Sequence, residues 1–170
     1  MKLKLRRIAN LFLVRHGQSV INVVKGGRPF WRDDAQRKPY EHLEDGDFSL
    51  TDLGREQATK TGLALREKYG LFDLVIHSSY VRTKETCDLI LAAYSDKERQ
   101  SMRVWGTPII RERSVGEHFK LTAAEVEEKY PDWTAKWPTA DKFTIQMPGG
   151  ESMLEICEGR LLTFHEMLLN

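Results

Sequence analysis

Only two of the 170 residues are cysteine, Cys87 and Cys157, and each falls within an apolar pattern of helical spacing. This excludes a disulfide framework and fits buried, reduced thiols, as expected of a cytosolic protein. Long apolar runs are missing as well. The basic start, Lys2, Lys4, Arg6 and Arg7, leads into just four apolar residues, Leu11 to Val14, before Arg15 breaks the run. A signal peptide needs about 7–15 such residues and a membrane span about 18, so no membrane segment is expected. Charge of one sign is not in excess either, with 26 Lys and Arg against 25 Asp and Glu and a net charge of +1. No global field draws in nucleic acid or anionic lipid, and any affinity for phosphate must be local. The basic start is short and lacks interleaved aromatics, so no nucleic-acid partner is expected from it. His42, His77, His118 and His165 show no metal-ligand spacing with one another or with the cysteines, so no zinc site is expected, and the spacing points to no metal or other cofactor.

What is present is an ordinary globular balance of 41% apolar and 30% charged residues, which predicts one domain over residues 1–170. Leu11 to Val14 reads as a buried strand delivering Arg15-His16-Gly17 into a turn, with a helix opening at Ser19 to Val24. Residues 25–48 form a long polar excursion of mixed charge, readable as a solvated loop or as a lid over a substrate. Thr51 is a candidate N-cap for a helix reaching Tyr69, with Ala58, Gly62, Leu65 and Tyr69 on one stripe and Gly70 as its stop. Asp73 to His77 predicts a second strand, Thr83 to Tyr94 a helix burying Thr86, Leu89, Ile90 and Ala93, and Pro108 to Arg111 a third strand. Thr122-Ala123-Ala124-Glu125 is a capping box for a helix that ends before Pro131. Trp133 to Phe143 reads as an irregular cap. From Ser152 onward, Leu154, Cys157, Leu161, Phe164 and Leu168 recur at three- and four-residue spacings, predicting a core-facing helix. Strands alternating with helices point to an α/β fold with a parallel sheet.

The end of a strand in an open α/β sheet is where ligands bind, and His16 falls at such an end. An imidazole beside an obligatory cation, followed by a glycine that admits close backbone approach, suits attack on an anionic centre such as phosphate. Further motifs follow in order: Asn22 completes Arg-His-Gly-Gln-Ser-x-x-Asn, then come Leu50-Thr51-Asp52-Leu53-Gly54, Ser78-Ser79-Tyr80-Val81-Arg82, Arg111-Glu112-Arg113 and Pro148-Gly149-Gly150-Glu151-Ser152. Together, from about Leu11 to the end of the chain, they resemble the phosphoglycerate mutase-like branch of the histidine phosphatase superfamily. The resemblance implies a three-layer sandwich with a mostly parallel central sheet flanked by helices. It also implies that His16 is the nucleophile that becomes phosphohistidine, that Arg15 and Arg82 clamp the phosphate, and that Glu112 is the acid-base group. Asn22 and the amides at Gly17 and Gln18 are further candidate phosphate donors. Arg82 near a helix start argues the same way, since the helix dipole repels a cation there unless an anion lies between.

The implied activity is that of a metal-independent, histidine acid-type phosphatase acting on a small phosphorylated substrate. A phosphoglycerate mutase is the alternative, since mutases resemble the Glu112-Arg113 pairing; Gly116-Glu117-His118-Phe119-Lys120 does not clearly reproduce their further binding motifs, which tilts the choice to phosphatase. A departure supports a third reading. The family has a second catalytic histidine, in a His-Gly pair on a strand after the last helix, and here the sequence stops at Asn170; His165 is followed by Glu166 and does not replace it. The expectation is an incomplete domain lacking its C-terminal strand or strands, or else an inactive phospholigand-binding domain. The oligomeric state is left open.

Overall fold

A computed structural model describes residues 10–169, so the basic start lies outside the described residues. The chain is α/β, with a small parallel sheet flanked by helices. Helix α1 is Val20–Lys25, entered from Ser19 and ended by Gly26 in the left-handed conformation. The excursion that follows contains α2 (Asp34–Arg37) and single 3-10 turns at Lys38–Tyr40 and Asp45–Asp47. It is not a solvated loop. Trp31, Phe48 and Leu50 are each 1% exposed, and Trp31 and Phe48 form a core with Ile21 and Phe119. The backbone of Trp31 is tied across to residues 121–123, its amide donating to the Leu121 carbonyl at 2.9 Å.

Helix α3 (Asp52–Tyr69) begins at Thr51, whose hydroxyl accepts from the Gly54 amide at 3.0 Å, and stops at Gly70 with φ 72°. Ala58 and Gly62 are buried on its inner face, as the stripe predicted, while Tyr69 is largely exposed. Strand β1 (Leu74–His77) leads to α4 (Val81–Leu91), then α5 (Asp96–Ser101), capped by Ser95 and Glu98, then β2 (Arg103–Gly106). The two strands pair in parallel from Leu74 with Arg103 to His77 with Gly106. A bare glycine at 62 lets α3 lie against α4, where a Cβ would come within 2.7 Å of the Ile90 carbonyl oxygen. Cys87, Leu91, Tyr94 and Met102 form a second core beneath the sheet.

Two expected strands are corrected. Leu11 to Val14 has no ladder partner among the described residues, and its side chains are exposed, Leu13 by 87%. β-prone residues form a strand only where a neighbour supplies the ladder and a face is covered. Here the segment is steadied by Phe12, which packs on Tyr69 and Phe72. The third strand lies at Arg103–Gly106 rather than Pro108 to Arg111; Pro108–Ile110 is a 3-10 turn, because proline brings no N–H to a ladder and Thr107 turns its hydroxyl to the Ile109 amide.

Beyond the sheet, α6 (Ala123–Lys129) carries the predicted capping box and ends ahead of Pro131, which opens α7 (Pro131–Lys136). The segment expected as an irregular cap is thus helical over its first residues. The predicted last helix is interrupted: α8 (Met153–Ile156) passes through a π-helical turn, Cys157–Leu161, into α9 (Leu162–Leu169). An extra residue in a turn rotates everything after it by about 100°. Leu161, inside the π turn, is 44% exposed, while Leu154, Cys157, Phe164 and Leu168 of the predicted stripe are half-buried.

Candidate active site

The turn carrying His16 is built by backbone packing against the start of α3. A Cβ at Gly17 would overlap the Gly54 carbonyl, and one at Gly54 would overlap the Gln18 carbonyl, so only two glycines allow this approach. The Thr51 amide also donates to the Gln18 carbonyl at 2.9 Å. His16 is half-buried, with Nδ1 2.7 Å from the Gly17 carbonyl oxygen. A carbonyl only accepts, so Nδ1 carries the proton and the neutral ring keeps its lone pair on Nε2. Burial is the main reason that His16 titrates below the ordinary 6.5; the Gly17 contact opposes it, Arg82 and Arg15 push further down, and Glu112 pushes up. Those three side chains, expected around His16 from widely separated motifs, are thus within electrostatic reach of its ring.

Arg82 is 3% exposed in the first turn of α4. Its NH1 donates to the Asp45 backbone oxygen at 2.5 Å and to Asp45 Oδ1 at 3.2 Å, and its guanidinium lies 4.6 Å from the centre of the Tyr80 ring. The anion that the helix start requires is supplied by the protein itself, from the excursion. Arg15 is exposed, and so is Glu112, whose Oε1 accepts from the Arg113 amide at 3.0 Å.

Two of the expected phosphate donors are already engaged, and the third also serves a helix cap. The Gly17 amide donates to Thr86 Oγ1 at 3.1 Å and the Gln18 amide to Gln57 Oε1 at 2.9 Å, so both are already satisfied. Asn22 Oδ1 accepts from the Ser19 amide and hydroxyl, which makes Asn22 part of the α1 cap. The Ser19-x-x-Asn22 spacing is a capping pattern and carried that signal.

Glu151, quoted in a motif without a role, holds the segment that bears Glu112. Both its oxygens are gripped by Arg111 at 2.9 Å, Arg160 adds a contact at 3.1 Å, and the Ser114 amide donates at 2.8 Å. Its carboxyl is lowered despite burial because the Ser114 amide and the Arg111 guanidinium favour the charged form. Asp45 is the residue that the sequence did not single out; its only signal was an acidic turn within a long excursion. A largely apolar groove of about 240 Å³ runs alongside, lined by Phe12, Phe72, Val75, Cys87 and Ile90 and reaching His16. Cys87 is inert there, burial pushing its thiol up to about 11. Among the described residues, no cluster of three His, Cys, Asp or Glu could hold a metal ion, and no helix is long and apolar enough to cross a membrane.

The profile of the Histidine phosphatase superfamily (branch 1) matches residues 11–168. The chain belongs to this superfamily. Curated relatives are 2,3-bisphosphoglycerate-dependent phosphoglycerate mutases, among them that of Bartonella henselae, 30% identical over 84% of this chain and 60% of the relative. Another, from Rhizobium meliloti, is 31% identical over 84% of this chain and 59% of the relative. The chain therefore spans about 60% of the length of these relatives. Among solved structures, a putative alpha-ribazole-5'-P phosphatase from Escherichia coli superposes with a TM-score of 0.64 at 21% identity, covering 91% of this chain and 64% of that one. A mycobacterial glucosyl-3-phosphoglycerate phosphatase gives 0.56 at 24% identity, covering 89% and 61%. These likenesses establish the shared histidine phosphatase fold.

Proposed function

We propose that this histidine phosphatase domain hydrolyses small phosphomonoesters through a phosphohistidine intermediate, without a metal. The observation that carries this reading is His16, held neutral with its lone pair on Nε2 and within reach of two arginines and a carboxylate. Phosphoryl transfer needs a nucleophile, cations over the equatorial oxygens, and a proton for the leaving oxygen. Nε2 attacks phosphorus and forms an N–P bond while the ester P–O bond breaks. Arg15 and Arg82 bind the phosphoryl oxygens, and Glu112 in its acid form gives its proton to the departing alkoxide. Water then attacks the phosphohistidine, the N–P bond breaks, and Glu112 takes up the water's proton. Glu112 is a surface carboxylate flanked in sequence by Arg111 and Arg113, and an arriving phosphate brings the negative charge under which a carboxyl holds a proton.

Phosphoglycerate mutase chemistry is the second reading, favoured by the curated relatives, and both belong with the superfamily. Incubation with 3-phosphoglycerate, followed by phosphorus NMR, separates them. Inorganic phosphate is the expected product; 2-phosphoglycerate alone indicates a mutase, and bound but unchanged ester indicates a binding domain.

A further inference from the structure

The excursion reaches the candidate phosphate site at one point, Asp45, and the contact is built rather than incidental. Downstream, Phe48 and Leu50 are buried at 1% exposure, and the Leu50 amide donates to Glu85 Oε2 on α4 at 2.6 Å. Within the turn, the Glu44 amide donates to Asp47 Oδ2 at 2.8 Å. Gly46 lies against the Tyr80 ring, where a Cβ would come within 3.2 Å. The same ring stacks on Arg82. Turn, tyrosine and arginine are therefore one packed unit that presents the Asp45 carboxylate to a buried guanidinium.

We propose that Asp45 is a specificity-determining residue: it holds Arg82 by NH1, leaves the Nε–NH2 edge for a phosphoryl group, and disfavours a dianionic phosphate relative to a monoanionic one. The proposal rests on the phosphate-site reading of His16 and Arg82. A guanidinium has five N–H donors in a planar fork, so fixing NH1 selects which edge the ligand meets. Charge does the rest. Arg15 and Arg82 are matched by Asp45 and Glu112, and each added negative charge on the ligand meets the fixed Asp45 carboxylate at a cost that grows with ligand charge. Other charged groups face this carboxylate. Lys25 of α1 lies within its reach, which favours the ammonium, although burial holds that lysine down to about 7. Asp45 also pushes the Tyr80 phenol up, in addition to burial. Glu44 and Asp47 flank it in the turn, and Glu44 is paired with Lys120 at 2.8 Å.

The test is calorimetric titration with inorganic phosphate, comparing the wild-type chain with Asp45→Asn and Asp47→Asn at about pH 8, where the dianion dominates, and about pH 5.5, where the monoanion does. Asp47 shares the turn and the charge without touching Arg82. Asp45→Asn is expected to bind phosphate about fivefold more tightly than wild type near pH 8, with a gain below about twofold near pH 5.5 and less than a twofold change for Asp47→Asn. Equal gains at both pH values, an equal effect from Asp47→Asn, or weaker binding at both pH values each overturns the proposal, the last by reducing Asp45 to a positioning residue. Wild type that fails to bind phosphate, indistinguishable from Arg82→Ala, overturns the site reading and this inference with it. Circular dichroism checks folding, and Asp45→Ser, which keeps the backbone oxygen contact, replaces Asp45→Asn if that variant is unfolded.

Discussion

A histidine that attacks phosphorus must keep one ring nitrogen unprotonated, and at position 16 a backbone carbonyl and partial burial both act to that end. The sign follows from the direction of the shift. With its pKa below the ordinary 6.5, His16 stays neutral as pH falls past that value, so loss of activity through its protonation sets in only below 6.5. Glu112 has the opposite requirement, a proton near neutral pH, in an exposed place between Arg111 and Arg113. If it protonates the leaving oxygen, Glu112→Gln slows phosphoenzyme formation from an alkyl phosphate by about 10²-fold or more, while p-nitrophenyl phosphate, whose leaving group departs unprotonated, is slowed at least about tenfold less. Rapid-quench rates with the two substrates check this, and equal slowing assigns the proton to another group. The need for an anion at Arg82 was legible from its place at a helix start. The identity of that anion was not, because Asp45 lies 37 positions away in sequence, and only the fold of the excursion joins them.

At the scale of elements, the Leu-Thr-Asp-Leu-Gly motif is what brings α3 against the nucleophile's turn. Thr51 caps the helix, and Gly54 lets its first turn meet the backbone at Gly17 and Gln18. Alanine in place of a helical glycine ordinarily gains about 0.5–1 kcal/mol. Here backbone, not a flexible side chain, is in the way, and Gly54→Ala is expected to lose at least about 2 kcal/mol in urea unfolding. A neutral or stabilising result shows that the turn yields and that the glycine pair does not fix His16. Helices with local caps, α3 and α6 above all, were readable because the cap, the stripe and the stop all lie within a few residues. The strand at Leu11 to Val14 was misread because strand formation depends on a distant neighbour. The shifted β2 was misread because an apolar pair after Pro108 resembles a strand, although proline cannot take part in its ladder. The π turn at Cys157–Leu161 has no local signature in the apolar spacing, and it leaves Leu161 exposed while Phe164 and Leu168 beyond it stay partly buried.

At the scale of the whole molecule, two small cores, one under the excursion and one under the sheet, flank the loop that carries His16, and the Arg111–Glu151–Arg160 cluster ties the Glu112 segment to the C-terminal helices. Motifs spread from residue 15 to residue 151 thus converge on the candidate site, with Glu151 holding the Glu112 segment in place. The α/β class and the grouping of His16, Arg15, Arg82 and Glu112 were legible from motif order, whereas the amides at Gly17 and Gln18 were not, since their partners Thr86 and Gln57 belong to other elements. The central claim is that His16 Nε2 becomes covalently phosphorylated. It is tested most directly by mixing the chain with a radiolabelled phosphomonoester, quenching within milliseconds, and following the protein-bound label in acid and in base. The account predicts an acid-labile, base-stable phosphoryl group on the wild-type chain and none on His16→Ala; undiminished label on His16→Ala, or label that survives acid, would contradict it.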